Sequence, residues 1–286
     1  AAKREPRRGP RRNGDSGKAL DWVATFQTVW LILFLCSALI TTALSRMFAQ
    51  VGAFRFWAIG FYLLATATAS FALHKIWPND LLMLATATLA LLSRILIWSG
   101  TRDLFGAAPR WRTGLAVTAV FAVLHGSMLA LNAPLGARAL LLALFFLPCR
   151  AATLYEVCRR RRPHLGPARV LVVVGSIIAM LNVIVPLLLV LLDRANMTLF
   201  YGNPRTTSAL YAVVFAGDLL LTVGLIVLAL RQLVTERDML ATLDRGALEH
   251  LAGARQMRAL RDSRLPRGDV LGHDTSTQRQ SLPGAI

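Results

Sequence analysis

Apolar residues run along this chain in seven long blocks, at 25–44, 56–73, 81–98, 113–131, 139–157, 170–192 and 208–230, parted by short connections rich in Arg, Gly, Pro and Asn. The blocks show neither the alternation of a half-buried strand nor the broad polar stripe of a soluble amphipathic helix. Each therefore reads as a helix that is apolar on nearly all sides. The hydrocarbon core of a bilayer takes about 20 such residues per helix. The pattern predicts an all-α, polytopic membrane bundle of about seven transmembrane helices. The fifth block is interrupted by Pro148 and Arg150, which makes six spans the fallback; a proline is tolerated in a span where neighbouring groups satisfy the freed backbone carbonyl.

Beyond Arg231 the pattern changes. From Gln232 to Leu260 the chain is polar but still periodic, with Leu233, Leu240, Leu243, Leu251 and Ala254 near one side, and it reads as a short cytoplasmic helical tail continuing the seventh span. Glu236, Arg237, Asp238, Asp244, Arg245 and Glu249 mix both signs, as a solvated or partner-facing helix does. An apolar side on such a helix points to a homodimer, against which Gly246 and Gly253 weigh as poor helix formers. The expected organisation is a basic disordered tail at 1–22, a membrane domain at 23–231, a cytoplasmic linker helix at 232–262 and a disordered tail at 263–286.

Composition agrees with the blocks. The chain has 286 residues, is 55% hydrophobic and only 16% charged, and its mean hydropathy is +0.53, too apolar for an ordinary soluble domain. Its net charge of +17 would suggest nucleic acid on a folded soluble surface. Here the arginines sit in tails and connections, where membrane topology and anionic lipid account for them, so the expected partner is the lipid bilayer and not nucleic acid. Cys36, Cys149 and Cys158 have no metal-ligand spacing and form no even-numbered framework, so no metal is expected.

Arginine placement also predicts orientation, because cytoplasmic loops retain positive charge. One set of connections holds Arg46 and Arg55, then Arg102, Arg110 and Arg112, then Arg159 to Arg162 with Arg169, and the tail from Arg231; the opposite set holds Lys75, Arg138, Arg194 and Arg205. The richer set belongs inside, which puts the C terminus in the cytoplasm. The basic residues Lys3, Arg4, Arg7, Arg8, Arg11, Arg12 and Lys18 run against this. The conflict is resolved either by six spans or by a start at Val23 through a non-AUG codon. Trp57, Trp77, Trp98 and Trp111 fall near predicted span ends, where indole rings favour the headgroup region.

Candidate chemistry lies in the ionisable groups within the spans, since each is costly in lipid unless paired or hydrated. Arg94 and Arg150 lie one to two turns from cytoplasmic helix ends, and snorkelling to the headgroups is favoured over a binding role for both. His125 and Asp218 lie nearer mid-span and cannot escape in that way. Mutual pairing, a neutral hydrogen-bonded state and a ligand site are their alternatives. Asn182 adds a polar group to the sixth span, and Pro148 and Pro186 are candidate hinges. The echo of Leu64-Ala65-Thr66-Ala67-Thr68-Ala69 in Leu84-Ala85-Thr86-Ala87-Thr88 suggests close backbone approach of two helices through small residues. The sequence holds no phosphate-cradling glycine loop, no zinc motif and no nucleophile–base set in one compartment, so neither enzymatic activity nor a cofactor is expected.

Three segments add a resemblance. Phe56-Trp57-Ala58-Ile59-Gly60, Leu73-His74-Lys75-Ile76-Trp77-Pro78-Asn79-Asp80-Leu81 and Gly100-Thr101-Arg102-Asp103-Leu104-Phe105-Gly106 resemble the membrane sensor modules that precede bacterial diguanylate cyclase (GGDEF) domains, over most of 24–231. Asp238 to Glu249 is similar to a shortened form of that family's entry into the cyclase, without its Thr-Gly-Leu core, and no Gly-Gly-Asp/Glu-Glu-Phe sequence follows. The resemblance implies a multi-pass protein of the bacterial inner membrane that senses a small molecule or membrane state and lacks the catalytic domain. A small-solute transporter or channel subunit using His125 and Asp218 is the alternative class, and an inert remnant of a disrupted gene is the third.

Overall fold

A computed structural model describes residues 14–159, 166–192 and 204–264. Seven helices follow in order: α1 (Gly14–Met47), α2 (Gly52–Ile76), α3 (Asp80–Leu104), α4 (Trp111–Ala130), α5 (Leu135–Arg159), α6 (Gly166–Leu192) and α7 (Pro204–Arg264). All seven are long and apolar enough to cross a membrane, so the protein is an all-α, multi-pass membrane protein. The basic residues at 1–13, the arginines at 160–162, Arg194 and the end at 265–286 lie outside the described residues, as do the side chains of 14–24, Arg205, Glu236, Asp244 and Leu251. The helix α1 begins at Gly14 rather than at Thr25, so residues 14–22, expected in the disordered tail, are helical; Lys18-Ala19-Leu20 are good helix formers despite the charge around them.

The membrane reading follows from which side chains have no protein cover. Ile32, Leu39, Val120, Val123, Leu144, Val170 and Val213 are all exposed, a distribution that a water-soluble surface rarely carries and that lipid covers at no cost. Many hydroxyls inside the spans are satisfied locally. Thr41, Thr68, Thr86, Thr101, Thr118 and Thr153 each donate to a carbonyl one turn back on their own helix, which removes the cost of a bare polar group in hydrocarbon.

The connections use identifiable cap chemistry. Asn79 caps α3 by accepting from the Leu81 N–H at 2.9 Å, and its own N–H donates to His74 Nδ1 at 3.2 Å, which clips the α2–α3 turn shut. The helices α3 and α4 each end in a Schellman pattern, with Ala107 N–H reaching Arg102 O and Ala133 N–H reaching Met128 O, both at 2.9 Å. The pattern needs a left-handed residue just past the helix. Gly106 (φ +73°) and Asn132 (φ +49°) supply it.

Among these helices α2 and α3 pack tightly along their length. A Cβ on Gly100 would stand 2.6 Å from the Trp57 ring, and one on Gly60 would stand 3.3 Å from Ser93 O. Trp57, expected near a span end, is turned into the bundle. It is fully buried and its indole N–H donates to Ile97 O at 3.0 Å, because the Gly100 notch offers both space and an acceptor. Trp77 and Trp111 are exposed as span-end residues should be. Trp57→Phe is expected to lower stability in micelles by about 2 kcal/mol, whereas Trp77→Phe should change it by less than about 0.5 kcal/mol. Thermal unfolding of the two variants checks this.

A further core joins α3, α4 and α5 through Leu91, Ile95, Phe121 and Leu141. By its internal contacts the chain divides into two units, the first ending at Gln232 and the second starting at Leu233, within α7. In the second unit Val234, Met239, Leu240, Leu243 and Met257 are exposed.

Candidate functional site

Three ionisable side chains from three helices gather in the first unit. Arg94 on α3 donates from Nη2 to Asp218 Oδ1 on α7 at 3.0 Å, and both side chains are about nine-tenths buried. Arg150 on α5 lies in electrostatic reach of both. These helices are held in place by ordinary packing: α3 meets α5 through Ile95, Leu91 and Leu141, and α7 meets α6 where glycines face backbone. A Cβ on Gly175 would stand 2.5 Å from Leu221 N and 2.8 Å from Gly217 O. That crossing puts Ser176 and Asp218, the residues that follow Gly175 and Gly217, inside the bundle, and both are buried.

Arg94, Arg150, Ser176, Thr153 and Cys149 line a cavity with about 10 Å³ open to the centre of a water molecule. That is room for about one water-sized occupant. Among the described residues Arg150 Nε and Nη1 and Ser176 Oγ are buried with no hydrogen-bond partner, whereas the Thr153 hydroxyl is engaged with Cys149 O. A buried guanidinium is costly without an acceptor or a counter-charge. The site therefore carries two guanidiniums, one carboxylate and unfilled donor capacity.

The expected site residues separate accordingly. Arg94, Arg150 and Asp218 come together. Snorkelling is corrected for both arginines, which are 8% and 9% exposed; a desolvated carboxylate from α7 attracts them more strongly than distant headgroups do. His125 does not meet Asp218. It lies on α4 with its ring stacked on Phe121 at 5.3 Å, and its Nδ1 has no partner among the described residues. Asn182 is half-buried on α6 and is not one of the cavity-lining residues. The helix α5 continues through Pro148. Pro186 falls within α6, with its side chain outside the described residues.

Neither a protein family, nor a curated protein, nor a solved structure matches the chain. The segments that carry the sensor-module resemblance have packing and capping roles here: Trp57, Gly60 and Gly100 join α2 to α3, and His74 with Asn79 closes the turn between them.

Sequence reasoning missed a second ion pair. Arg102 Nη1 on α3 donates to Glu156 Oε1 on α5 at 2.7 Å, while the same guanidinium lies over the Trp98 ring and its Nε reaches Ala108 O. The signal was present, since Glu156 is a carboxylate inside the block at 139–157 and needs a cation there. The buried Ser176 was the other omission. Nothing in an apolar run marks one serine as cavity-lining.

Proposed function

We propose that the protein is a non-enzymatic sensory and signal-transduction module of the bacterial inner membrane, with its C terminus in the cytoplasm, similar in kind to the input region of a diguanylate cyclase. The observation that supports this reading is the Arg94–Asp218 pair, which ties α3 to the helix whose sequence leads on into the polar stretch after Gln232. A stimulus that altered the balance of charge at this pair would favour one of two packings of α7 over the other, and a ligand can shift such an equilibrium only by its differential affinity for the two states. The polar stretch, with its exposed Leu240 and Leu243, is then the surface for a homodimer or an output partner.

Single cysteines placed along 233–251 in membranes test this. A helical dimer yields a cross-linking pattern with a period near 3.5 residues, and Arg94→Lys, which keeps the charge but loses the planar fork, should change that pattern. An aperiodic pattern, or one indifferent to Arg94, would count against the sensor. Solute flux in proteoliposomes that depended on Asp218 would replace it with the transporter class, which draws on the same buried charges.

A further inference from the structure

Among the described residues the charges around the cavity do not balance. Arg94 from α3 and Arg150 from α5 bring two positive charges, Asp218 from α7 brings one negative charge, and α6 brings only the neutral Ser176. Asp218 is engaged by Arg94. The surplus guanidinium, Arg150, is 9% exposed, its Nε and Nη1 have no partner among the described residues, nor has the Ser176 hydroxyl, and both residues line the cavity. Three donors thus belong to residues that line one small space.

We infer that this cavity is a binding site for a small monovalent anion of halide size, chloride being the abundant case. A water molecule could accept from the same donors but would leave the excess positive charge in a low-dielectric interior, where an uncompensated ion is most costly. An anion meets both needs, because it accepts charge-assisted hydrogen bonds from Arg150 and a hydroxyl hydrogen bond from Ser176, and it brings the cluster to neutrality. Size sets the selectivity. Room for about one water-sized occupant excludes sulfate, phosphate and organic carboxylates, and a halide, somewhat larger than water, enters with a small outward adjustment of the lining. An anion here would be the sensed ligand, a role that rests on the sensory reading above; binding itself does not.

The test uses the full chain in detergent micelles, with its thermal midpoint followed as chloride or bromide replaces gluconate or sulfate at constant ionic strength. A ligand that binds only the folded state raises the midpoint with its concentration. A saturable rise of several degrees with either halide over gluconate is expected, whereas sulfate gives only the gradual, unsaturating rise of an excluded salt. Ser176→Ala should weaken the apparent halide affinity by about tenfold, and Arg150→Gln should abolish the response. Should Arg150→Gln not fold, the Ser176→Ala titration decides alone, because loss of one hydroxyl leaves the packing intact. No halide-specific rise in the wild-type chain, or an unchanged titration in Ser176→Ala, overturns the site. Halide binding with a cross-linking pattern indifferent to Arg94 keeps the site and removes the sensor.

Discussion

Asp218→Ala is expected to destabilise the membrane bundle by about 3–5 kcal/mol, because breaking a buried ion pair from one side leaves an uncompensated charge. Here the penalty falls at the upper end. Asp218 is the one carboxylate among the three clustered charges, so its loss leaves both Arg94 and Arg150 unneutralised where one surplus charge already stood. Asp218→Asn should cost less, since the amide oxygen can still accept from Arg94 Nη2 although the charge is gone. The double variant Arg94→Met/Asp218→Leu removes the pair together, and buried pairs replaced by apolar residues are often neutral or stabilising. It should regain most of what Asp218→Ala loses. Unfolding of the wild type, Arg94→Met, Asp218→Leu and the double variant in micelles closes a double-mutant cycle. Wild-type stability for Asp218→Ala, or a double variant no better than the single, would mean that the two side chains do not compensate each other.

Much of this fold was legible in the sequence for a simple reason: lipid demands length and apolarity, and both are local properties. Six of the seven blocks lie within a helix, and the fourth overruns its helix only by Leu131; the Gly106 and Asn132 helix ends were not read from the sequence. Pairing across helices was not legible. A soluble helix reports its buried face through a polar stripe, but a span that is apolar all round carries little such signal, so Arg94, Arg150, His125 and Asp218 could be placed by depth and not by direction. Depth alone suggested His125 with Asp218 and sent both arginines to the headgroups. Direction, set by α3, α5 and α7, pairs Arg94 with Asp218 and leaves His125 stacked on Phe121. Trp57 shows the same limit: its position near a span end was right to expect from sequence, and its fully buried setting depends on a glycine 43 residues later, Gly100.

Gly175→Val should be the second most damaging change, and it acts on the same site without touching a charged residue. A Cβ at 175 would stand 2.5 Å from Leu221 N, 2.8 Å from Gly217 O and 2.9 Å from Leu221 Cα. All three are backbone atoms of α7, so no side chain can swing aside. Ordinary contact needs roughly 3.5–4.0 Å, and α6 and α7 must therefore separate by on the order of 1 Å. Overpacking of this kind costs about 3 kcal/mol. The separation displaces Ser176 and Asp218 together, which lengthens the bond to Arg94 and opens the cavity. Alanine at Gly217 should be milder than at Gly175, because the nearest obstacle there, Ile178 Cγ2 at 2.5 Å, can swing away and only Ile178 Cβ at 2.9 Å is fixed, against three backbone atoms at 175. Gly246→Ala supplies the opposite sign: a Cβ there meets nothing within 4 Å, so helix propensity alone acts and stability of that helical segment should rise by about 1 kcal/mol. Unfolding midpoints for Gly175→Val and Gly217→Ala, with helicity for Gly246→Ala, test the order. Equal tolerance of side chains at 175 and 246 would show that α6 and α7 do not cross where their backbones meet here.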